Sequence, residues 1–221
     1  MRDGICGLRH PKSSGIHLQF AIREYRILIK VMALKPQDLL VVLKIALHPG
    51  QASTYAILAT ELGMAASEVH AATKRGIKSG LLSPRLWERK GPADASRPKQ
   101  LLWYRANNSA LIEFVVHGVK YVFPPERGAE ARGLPTAHGT APLNAHIAAD
   151  RSPVWPTVDG VVRGESLAPL YPSAPTAAKN DPLLHQALAL VDAIRGGAAR
   201  ERKLGAELFV QLLNAQLGRA P

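Results

Sequence analysis

The sequence has almost no cysteine and no long hydrophobic run, and both shortages exclude whole classes of protein. A single cysteine, Cys6, excludes a disulfide framework and any zinc or redox site built on paired cysteines. The most apolar stretch near the N-terminus, residues 16–34, is interrupted by four charged side chains, whereas a membrane span needs about 20 largely apolar residues. A signal peptide also needs an unbroken apolar segment. We therefore expect a cytoplasmic protein with no membrane association.

Acidic residues are scarce relative to basic ones. The 221 residues include 28 Lys and Arg against 17 Asp and Glu, which gives a formal net charge of +11 at pH 7. A charge of this size favours a polyanionic partner. With 47% hydrophobic and 20% charged residues, the composition is that of a globular protein that buries a core without disulfides.

Short enzyme signatures are absent as well. The sequence contains no Walker A motif, no dinucleotide-binding glycine fingerprint, no GxSxG nucleophile motif and no HExxH zinc motif. Aromatic residues make up only 5% of the chain, and no paired-carboxylate motif is present. His138 and His146 lie in a loop without matched carboxylates, so we expect no metal there. The sequence thus predicts a protein that is not an enzyme and has no cofactor.

Composition divides the chain into four segments. Met32 has the character of an authentic translation start. We therefore expect residues 1–31 to be a disordered extension or the product of a start codon assigned too early. The alternative is a short helix over residues 22–31. The expected fold is mainly α with a small β-hairpin, followed by a proline-rich extended segment and a C-terminal helical pair. The corresponding divisions are residues 1–31, 32–123, 124–180 and 181–221.

Three helices are predicted at the start of the second segment. Pro36 suits the first position of a helix that ends before Gly50. Ser53 or Thr54 can cap a second, shorter helix, which Gly63 ends. A third helix follows directly. Helices joined by a tight glycine turn in this way are typical of a helix-turn-helix arrangement.

A hairpin and a further helix are expected next. Two β-compatible runs, residues 81–87 and 101–104, flank a polar, basic stretch broken by glycine and proline. This pattern predicts two strands around a mobile basic loop. Asn107 or Asn108 can then cap a helix over residues 109–121. We expect its apolar side chains, including that of Tyr121, to pack back on the first helix.

The second and third helices resemble a known family. The residues that carry the resemblance are Ile57-Leu58-Ala59-Thr60-Glu61-Leu62-Gly63-Met64, Val69, Ala72, Ile77 and Gly80-Leu81-Leu82. Their spacing is similar to that of the winged helix-turn-helix of MarR-like and related bacterial transcriptional regulators, over roughly residues 36–121. Such motifs often place Ser, Thr or Asp at the cap before the third helix. Because Ala65 stands there, we expect Ser67 to cap this helix one turn late.

The resemblance implies that the third helix enters the major groove of double-stranded DNA with the face opposite its buried side chains. The predicted contacts on this helix are Ser67, Glu68, His70, Ala71, Lys74, Arg75 and Lys78. Base edges would be read by Ser67, His70, Ala71 and Lys74, and phosphates would be bound by Arg75 and Lys78. Hydroxyl groups at the start of the second helix, those of Ser53, Thr54 and Tyr55, would donate to phosphate.

Basic charge is concentrated between Thr73 and Arg105. This window holds nine basic residues against two acidic ones, and its net charge of +7 equals that of the whole chain from Met32 onward. Predicted phosphate contacts in the hairpin loop are Arg85, Arg89, Lys90, Arg97 and Lys99. Counterion release at about six positions predicts a log–log salt slope of roughly −5. The alternative is a solvated basic hairpin that only keeps the protein soluble.

The third segment is rich in proline, with ten of the 17 prolines between Pro124 and Pro182. Regular helices are therefore not expected here. The segment is too apolar for a linker, which predicts an extended chain packed on its own domain or on a partner protein. Predicted partner contacts are Arg127, Arg132, Arg163, Trp155 and Tyr171. The alternative to a partner contact for the three arginines is a structural salt bridge within the chain. The two aromatic rings are expected to anchor in a pocket, either of this chain or of a partner.

The fourth segment predicts two amphipathic helices, over residues 183–195 and 198–217, with Asp181 as the first cap. They offer a surface for a homodimer or for receiving a signal. The favoured function is a sequence-specific DNA-binding transcriptional regulator, specifically a repressor. The alternative is an antitoxin-like interaction module, in which residues 124–180 wrap a partner protein while the winged domain binds its own promoter.

Overall fold

The computed structural model describes residues 33–51, 53–84, 104–148 and 151–217. The chain divides after Ala33, and everything described below belongs to the unit that starts at Leu34. The predicted N-terminal extension, residues 1–31, lies outside the described residues, as does the predicted basic loop of the hairpin. Within the described residues no helix has both the length and the apolar character that a membrane crossing requires.

Helices dominate the first part of this unit. The elements are α1 (Pro36–Leu47), α2 (Tyr55–Leu62), α3 (Ala66–Lys78), β1 (Leu82–Pro84), β2 (Tyr104–Ala106), α4 (Asn108–Glu113), a π-helical turn (Phe114–Gly118) and α5 (Val119–Val122). The two strands pair antiparallel, with Leu82 opposite Ala106 and Pro84 opposite Tyr104. The structure is therefore mixed α/β, mainly helical with a small antiparallel hairpin, which agrees with the predicted fold class.

Local sequence explains the helix boundaries. The Thr54 side chain accepts a hydrogen bond from the Ile57 amide at 3.2 Å and so caps α2. Gly63 ends α2 in the left-handed conformation, with φ at 62°, where a side chain would be strained. Asn107 caps α4 by accepting from a backbone amide of its first turn. These predicted boundaries are confirmed.

One packing expectation for the helix after the hairpin was wrong. Val115 and Val119 are fully buried, but the side chain of Tyr121 is 76% exposed. Tyr121 lies two positions beyond Val119, which places it on the opposite side of the helix. It therefore takes no part in packing on α1.

The proline-rich segment folds into a small sheet and a helix. Its elements are β3 (Arg127–Pro135), two short 3₁₀ turns (Ala137–Gly139 and Leu143–Ala145), β4 (Val154–Pro156), β5 (Val162–Leu167) and α6 (Ala174–Asn180). The central strand β3 pairs antiparallel with β4 and β5, which also touch each other and close a small barrel. The expectation of no regular helix was wrong at α6, because Pro175 lies in its first turn, where a missing amide hydrogen costs nothing.

Two helices complete the unit, α7 (Pro182–Gly196) and α8 (Ala199–Leu217), close to their predicted bounds. Asp181 caps α7 by accepting from the Leu183 and Leu184 amides, each at 3.1 Å. Nearly all of α7 is buried, and α8 packs along it. The apolar faces proposed for dimerisation are therefore used within the chain, and the outer side of α8 is mainly polar.

A single hydrophobic core runs through the unit. It includes Leu43 of α1, Leu62 of α2, Val69 of α3, Trp155 of β4 and Leu188 of α7. The divisions predicted after residue 31 therefore share one core, and both C-terminal helices contact α1 directly.

Candidate nucleic-acid interface

The outer face of α3 carries four of the seven DNA contacts predicted on this helix. Ser67, His70, Lys74 and Lys78 are exposed along it, and the opposite face is buried in the core. A helix of 13 residues is about 20 Å long, and the major groove is wide enough to admit it. The small residue lies at the N-terminal end and the two lysines toward the C-terminal end. Ala71, expected to read a base, is half-buried at the edge of this face.

Glu68 is used within the protein. One of its carboxylate oxygens accepts a hydrogen bond from the Ala65 amide at 3.0 Å, and the other accepts one from the Tyr171 hydroxyl at 3.0 Å. Glu68 thus supplies the cap that the Ala65 side chain cannot provide, and its negative charge suits a helix N-terminus. The expectation that Ser67 caps α3 was wrong, since the helix already begins at Ala66.

Arg75 points inward from α3. Its guanidinium donates two hydrogen bonds to the carboxylate of Asp38, at 2.7 and 2.6 Å, and Asp38 is fully buried at the start of α1. Hydrogen bonding to Asp38 raises the pKa of Arg75 above its ordinary value, against the opposing effect of burial. The expectation that Arg75 contacts phosphate was wrong, because its guanidinium binds Asp38 and so joins α3 to α1.

Three rings connect α2, α3 and the hairpin. The hydroxyl groups of Tyr55 and Tyr104 are 2.7 Å apart, and the Tyr55 ring lies against the His70 ring with centroids 4.9 Å apart. Burial and the hydrogen bond to Tyr104 raise the pKa of Tyr55 well above its ordinary value, so its hydroxyl stays protonated. The Tyr55 hydroxyl, expected to donate to phosphate, is instead paired with the hairpin.

The remaining DNA-contact predictions separate into three groups. Ser53 was expected to donate to phosphate, but it is buried and its hydroxyl donates to the Thr54 carbonyl at 3.3 Å. Thr54 uses its hydroxyl oxygen as the α2 cap, which leaves the hydroxyl hydrogen for a partner outside the chain. The five basic residues expected to bind phosphate in the hairpin loop lie outside the described residues: Arg85, Arg89, Lys90, Arg97 and Lys99. The described chain stops at Pro84 and resumes at its strand partner Tyr104, whose ring is one of the three above. Arg105 in β2 is exposed.

Trp155 lies inside the chain. It is fully buried, and its indole N–H donates to the carboxylate of Asp192 at 2.6 Å. Asp192 also accepts from Thr136 at 2.7 Å and from Arg195 at 2.8 Å. Trp155 therefore anchors in a pocket of its own chain and does not contact a partner protein. This was one of the two alternatives that the sequence left open.

The predicted partner arginines lie on the small sheet. Arg127 pairs with Glu165 at 2.6 Å and donates to the Gly196 carbonyl at 2.7 Å, which is the structural alternative. Arg132 and Arg163 are exposed and directly opposite each other across β3 and β5. Arg163 comes within 4.0 Å of a carboxylate oxygen of Glu130. Arg132 forms no ion pair with any other described residue.

A buried ionic cluster joins α1, α2 and α7, and sequence reasoning missed it. The Lys44 ammonium lies 2.9 Å from Asp181 and 3.1 Å from Glu61, and His48 contacts the same Asp181 oxygen at 2.7 Å. Burial disfavours the Asp181 carboxylate, but hydrogen bonds from His48 and Lys44 outweigh it and lower the pKa of Asp181 well below its ordinary value. Burial likewise opposes the charge on Lys44, yet its two carboxylate partners raise its pKa. Asp181 therefore holds α7 on α1 in addition to capping α7.

Comparison with protein-family models, with curated proteins and with solved structures found no match for this chain. Among residues 33–51, 53–84, 104–148 and 151–217, no group of three or more His, Cys, Asp and Glu side chains is arranged to hold a metal ion. What the chain does is therefore inferred from its own residues and their placement.

Proposed function

We propose that this chain is a sequence-specific DNA-binding transcriptional regulator, a repressor, that binds DNA through a MarR-like winged helix-turn-helix. The observation that carries the proposal is the outer face of α3, where Ser67, His70, Lys74 and Lys78 are exposed together on one helix. This helix follows α2 through the tight Gly63 turn and precedes an antiparallel hairpin. Its outer face has the small and cationic side chains that a major groove accepts. We call α3 the recognition helix from here on.

The roles of the side chains follow from their placement. Lys74, one turn beyond His70, is suited to the acceptor atoms of guanine, and Lys78 and Thr54 are suited to phosphate. The His70 ring is already held by Tyr55. A ring ordered before binding loses less conformational entropy when it meets a base.

Charge supports the same function. The window from Thr73 to Arg105, which contains the C-terminal part of the recognition helix and nearly all of the hairpin, has a net charge of +7. Arg75 contributes to that sum but is neutralised by Asp38. The exposed lysines of α3, Arg105 and the basic residues between the two strands supply the remainder. Attraction to the DNA backbone is therefore centred on the segment that begins within the recognition helix and includes Lys74, one of the candidate base contacts.

The antitoxin-like alternative depended on residues 124–180 being free to wrap a partner. Trp155 and Tyr171, its proposed anchors, contact Asp192 and Glu68 of the same chain. Nothing in the described part of this segment favours the alternative over DNA binding.

The experiment is selection of DNA from a random duplex library by the full chain. The proposal predicts recovery of one motif. Recovery of that motif as two half-sites, about 10 bp apart or a multiple of this, with two chains per duplex in a stoichiometric titration, would show in addition that two chains bind together. Recovery of unrelated sequences in proportion to the library would contradict the proposal.

A matched pair of variants checks where the binding surface lies. His70→Ala with Lys74→Ala on the recognition helix is expected to lose the selected motif. Lys203→Ala, which removes an exposed charge from α8, is expected to select the same motif as the unaltered chain. If the α8 variant alters selection as strongly as the α3 variant, the surface has been placed wrongly.

A further inference from the structure

Residues 170–176, which we call the C-terminal strap, lie against the turn between α2 and the recognition helix. A Cβ atom placed on Gly63 would be 3.4 Å from the Ser173 side chain and 4.0 Å from that of Thr176. Leu170, at the start of the strap, is buried in the common core. Gly63 is required for its left-handed backbone, and the strap lies within ordinary van der Waals distance of it.

The strap also reaches the first turn of the recognition helix. The Tyr171 hydroxyl donates to one carboxylate oxygen of Glu68 at 3.0 Å, while the other oxygen accepts from the Ala65 amide at 3.0 Å. Ala65 has no side-chain acceptor, so this amide depends on Glu68. Burial and the bond to Glu68 raise the pKa of Tyr171 above its ordinary value, and a neutral tyrosine hydroxyl is the donor that this bond requires.

We propose that Tyr171 is a positioning residue for DNA recognition, which holds the first turn of the recognition helix in register through Glu68. The inference rests on the proposed DNA-binding function. Ser67 is adjacent to Glu68 in the same turn, so a looser Glu68 displaces a side chain that faces the groove. Hydrogen bonds to base edges weaken steeply with distance and angle. Discrimination between sequences is therefore coupled to the fold of the C-terminal segment.

The test compares Tyr171→Phe, which removes only the hydroxyl, with Tyr121→Phe, which removes the hydroxyl of an exposed tyrosine on α5. In fluorescence anisotropy with the selected duplex and a scrambled one, Tyr171→Phe is expected to lower the affinity ratio about tenfold. Its affinity for the scrambled duplex stays within about twofold, since phosphate contacts are unchanged. Tyr121→Phe is expected to match the unaltered chain.

Glu68 variants separate positioning from a general loss of stability. Glu68→Gln keeps an oxygen that accepts a hydrogen bond and is expected to retain more discrimination than Glu68→Ala. Combining Tyr171→Phe with Glu68→Ala is expected to be no worse than Glu68→Ala alone, because both act through one contact. Additive losses would overturn the inference.

Hydrogen exchange without DNA makes the test independent of the proposed function. Tyr171→Phe is expected to speed exchange of the amides of residues 65–69 and to leave those of α8 unchanged. If the unaltered chain does not discriminate between duplexes, the proposed function fails, while exchange still decides whether Tyr171 holds the first turn. If the chain does discriminate and Tyr171→Phe matches Tyr121→Phe in both assays, the inference is overturned.

Discussion

At the scale of single residues, the charged side chains of α3 differ sharply in what they contact. Arg75 and Lys78 are three positions apart, yet Arg75 binds the buried Asp38 while Lys78 is exposed. The sequence predicted the exposed face of the helix because apolar spacing marks its buried side. It did not predict the pairing of Arg75, since Asp38 lies 37 positions away and only the folded chain brings the two together. The Tyr171–Glu68 and Tyr55–Tyr104 bonds escaped prediction for the same reason.

Removing the Arg75 guanidinium tests whether it is structural. We expect Arg75→Ala to lower the free energy of unfolding by about 3–5 kcal/mol, because Asp38 is left buried without its cation. Lys78→Ala, on the exposed side of the same helix, is expected to change it by less than about 0.5 kcal/mol. Urea unfolding measures both. A stable Arg75→Ala protein that binds all DNA sequences more weakly would restore the phosphate role.

Lys74 is the residue for which the proposed base contact can be measured most simply. We expect Lys74→Ala to reduce the preference for the selected duplex over a scrambled one by ~1–3 kcal/mol, since a specific base contact is lost. Its urea midpoint is expected to match that of the unaltered chain, because the side chain is exposed. Equal losses on both duplexes would reassign Lys74 to a phosphate contact.

At the scale of elements, helices were predictable and the small sheet was not. Caps and stop signals are local, and Thr54, Gly63 and Asp181 acted as expected. The strands β3, β4 and β5 lack a clean alternation of apolar and polar residues, and β4 has only three residues. Strands of this kind are defined by pairing across the chain, which spacing within one segment cannot reveal. The helix α6 was not predicted, because the proline in its first turn was taken as evidence against a helix.

The Lys44–Asp181 contact joins two elements and makes stability depend on pH. Asp181→Asn keeps an oxygen to cap α7 but removes the charge that binds Lys44 and His48. We expect the variant to be less stable than the unaltered chain at neutral pH by on the order of 2 kcal/mol. The pKa of Asp181 in the folded chain lies below its ordinary value of 3.8. The extra stability of the unaltered chain is therefore complete above pH 3.8 and is lost as the pH falls through the folded pKa.

Urea unfolding of both proteins across the acid range checks this dependence. The difference in free energy of unfolding is expected to shrink as pH falls below 3.8. A difference that stays constant into strong acid would show that the charge of Asp181 contributes nothing to holding α7.

At the scale of the whole molecule, one core spans elements that the sequence assigned to separate segments. Composition marked the proline-rich stretch correctly, but composition does not say which surfaces meet. The contact of α7 with α1 is what merges the helical pair with the first three helices. The recognition helix and the C-terminal helices therefore belong to one folding unit.

Truncation tests that unity. A fragment of residues 32–123 is expected not to fold, because removing α7 exposes apolar side chains of α1 that α7 covers. A chain of residues 34–217 is expected to unfold in one cooperative transition, as followed by circular dichroism during urea titration. A cooperative transition in the shorter fragment would mean that the DNA-binding part is an independent domain after all.

The central claim is that the chain recognises a DNA sequence, and the ratio of its affinities for two duplexes tests it most directly. Fluorescence anisotropy of the full chain would compare the selected duplex with a scrambled one at several salt concentrations. The account predicts a preference of ~4–10 kcal/mol at physiological salt. It also predicts a log–log salt slope of roughly −5. Equal affinity for both duplexes at every salt concentration would contradict the claim and leave only a basic surface.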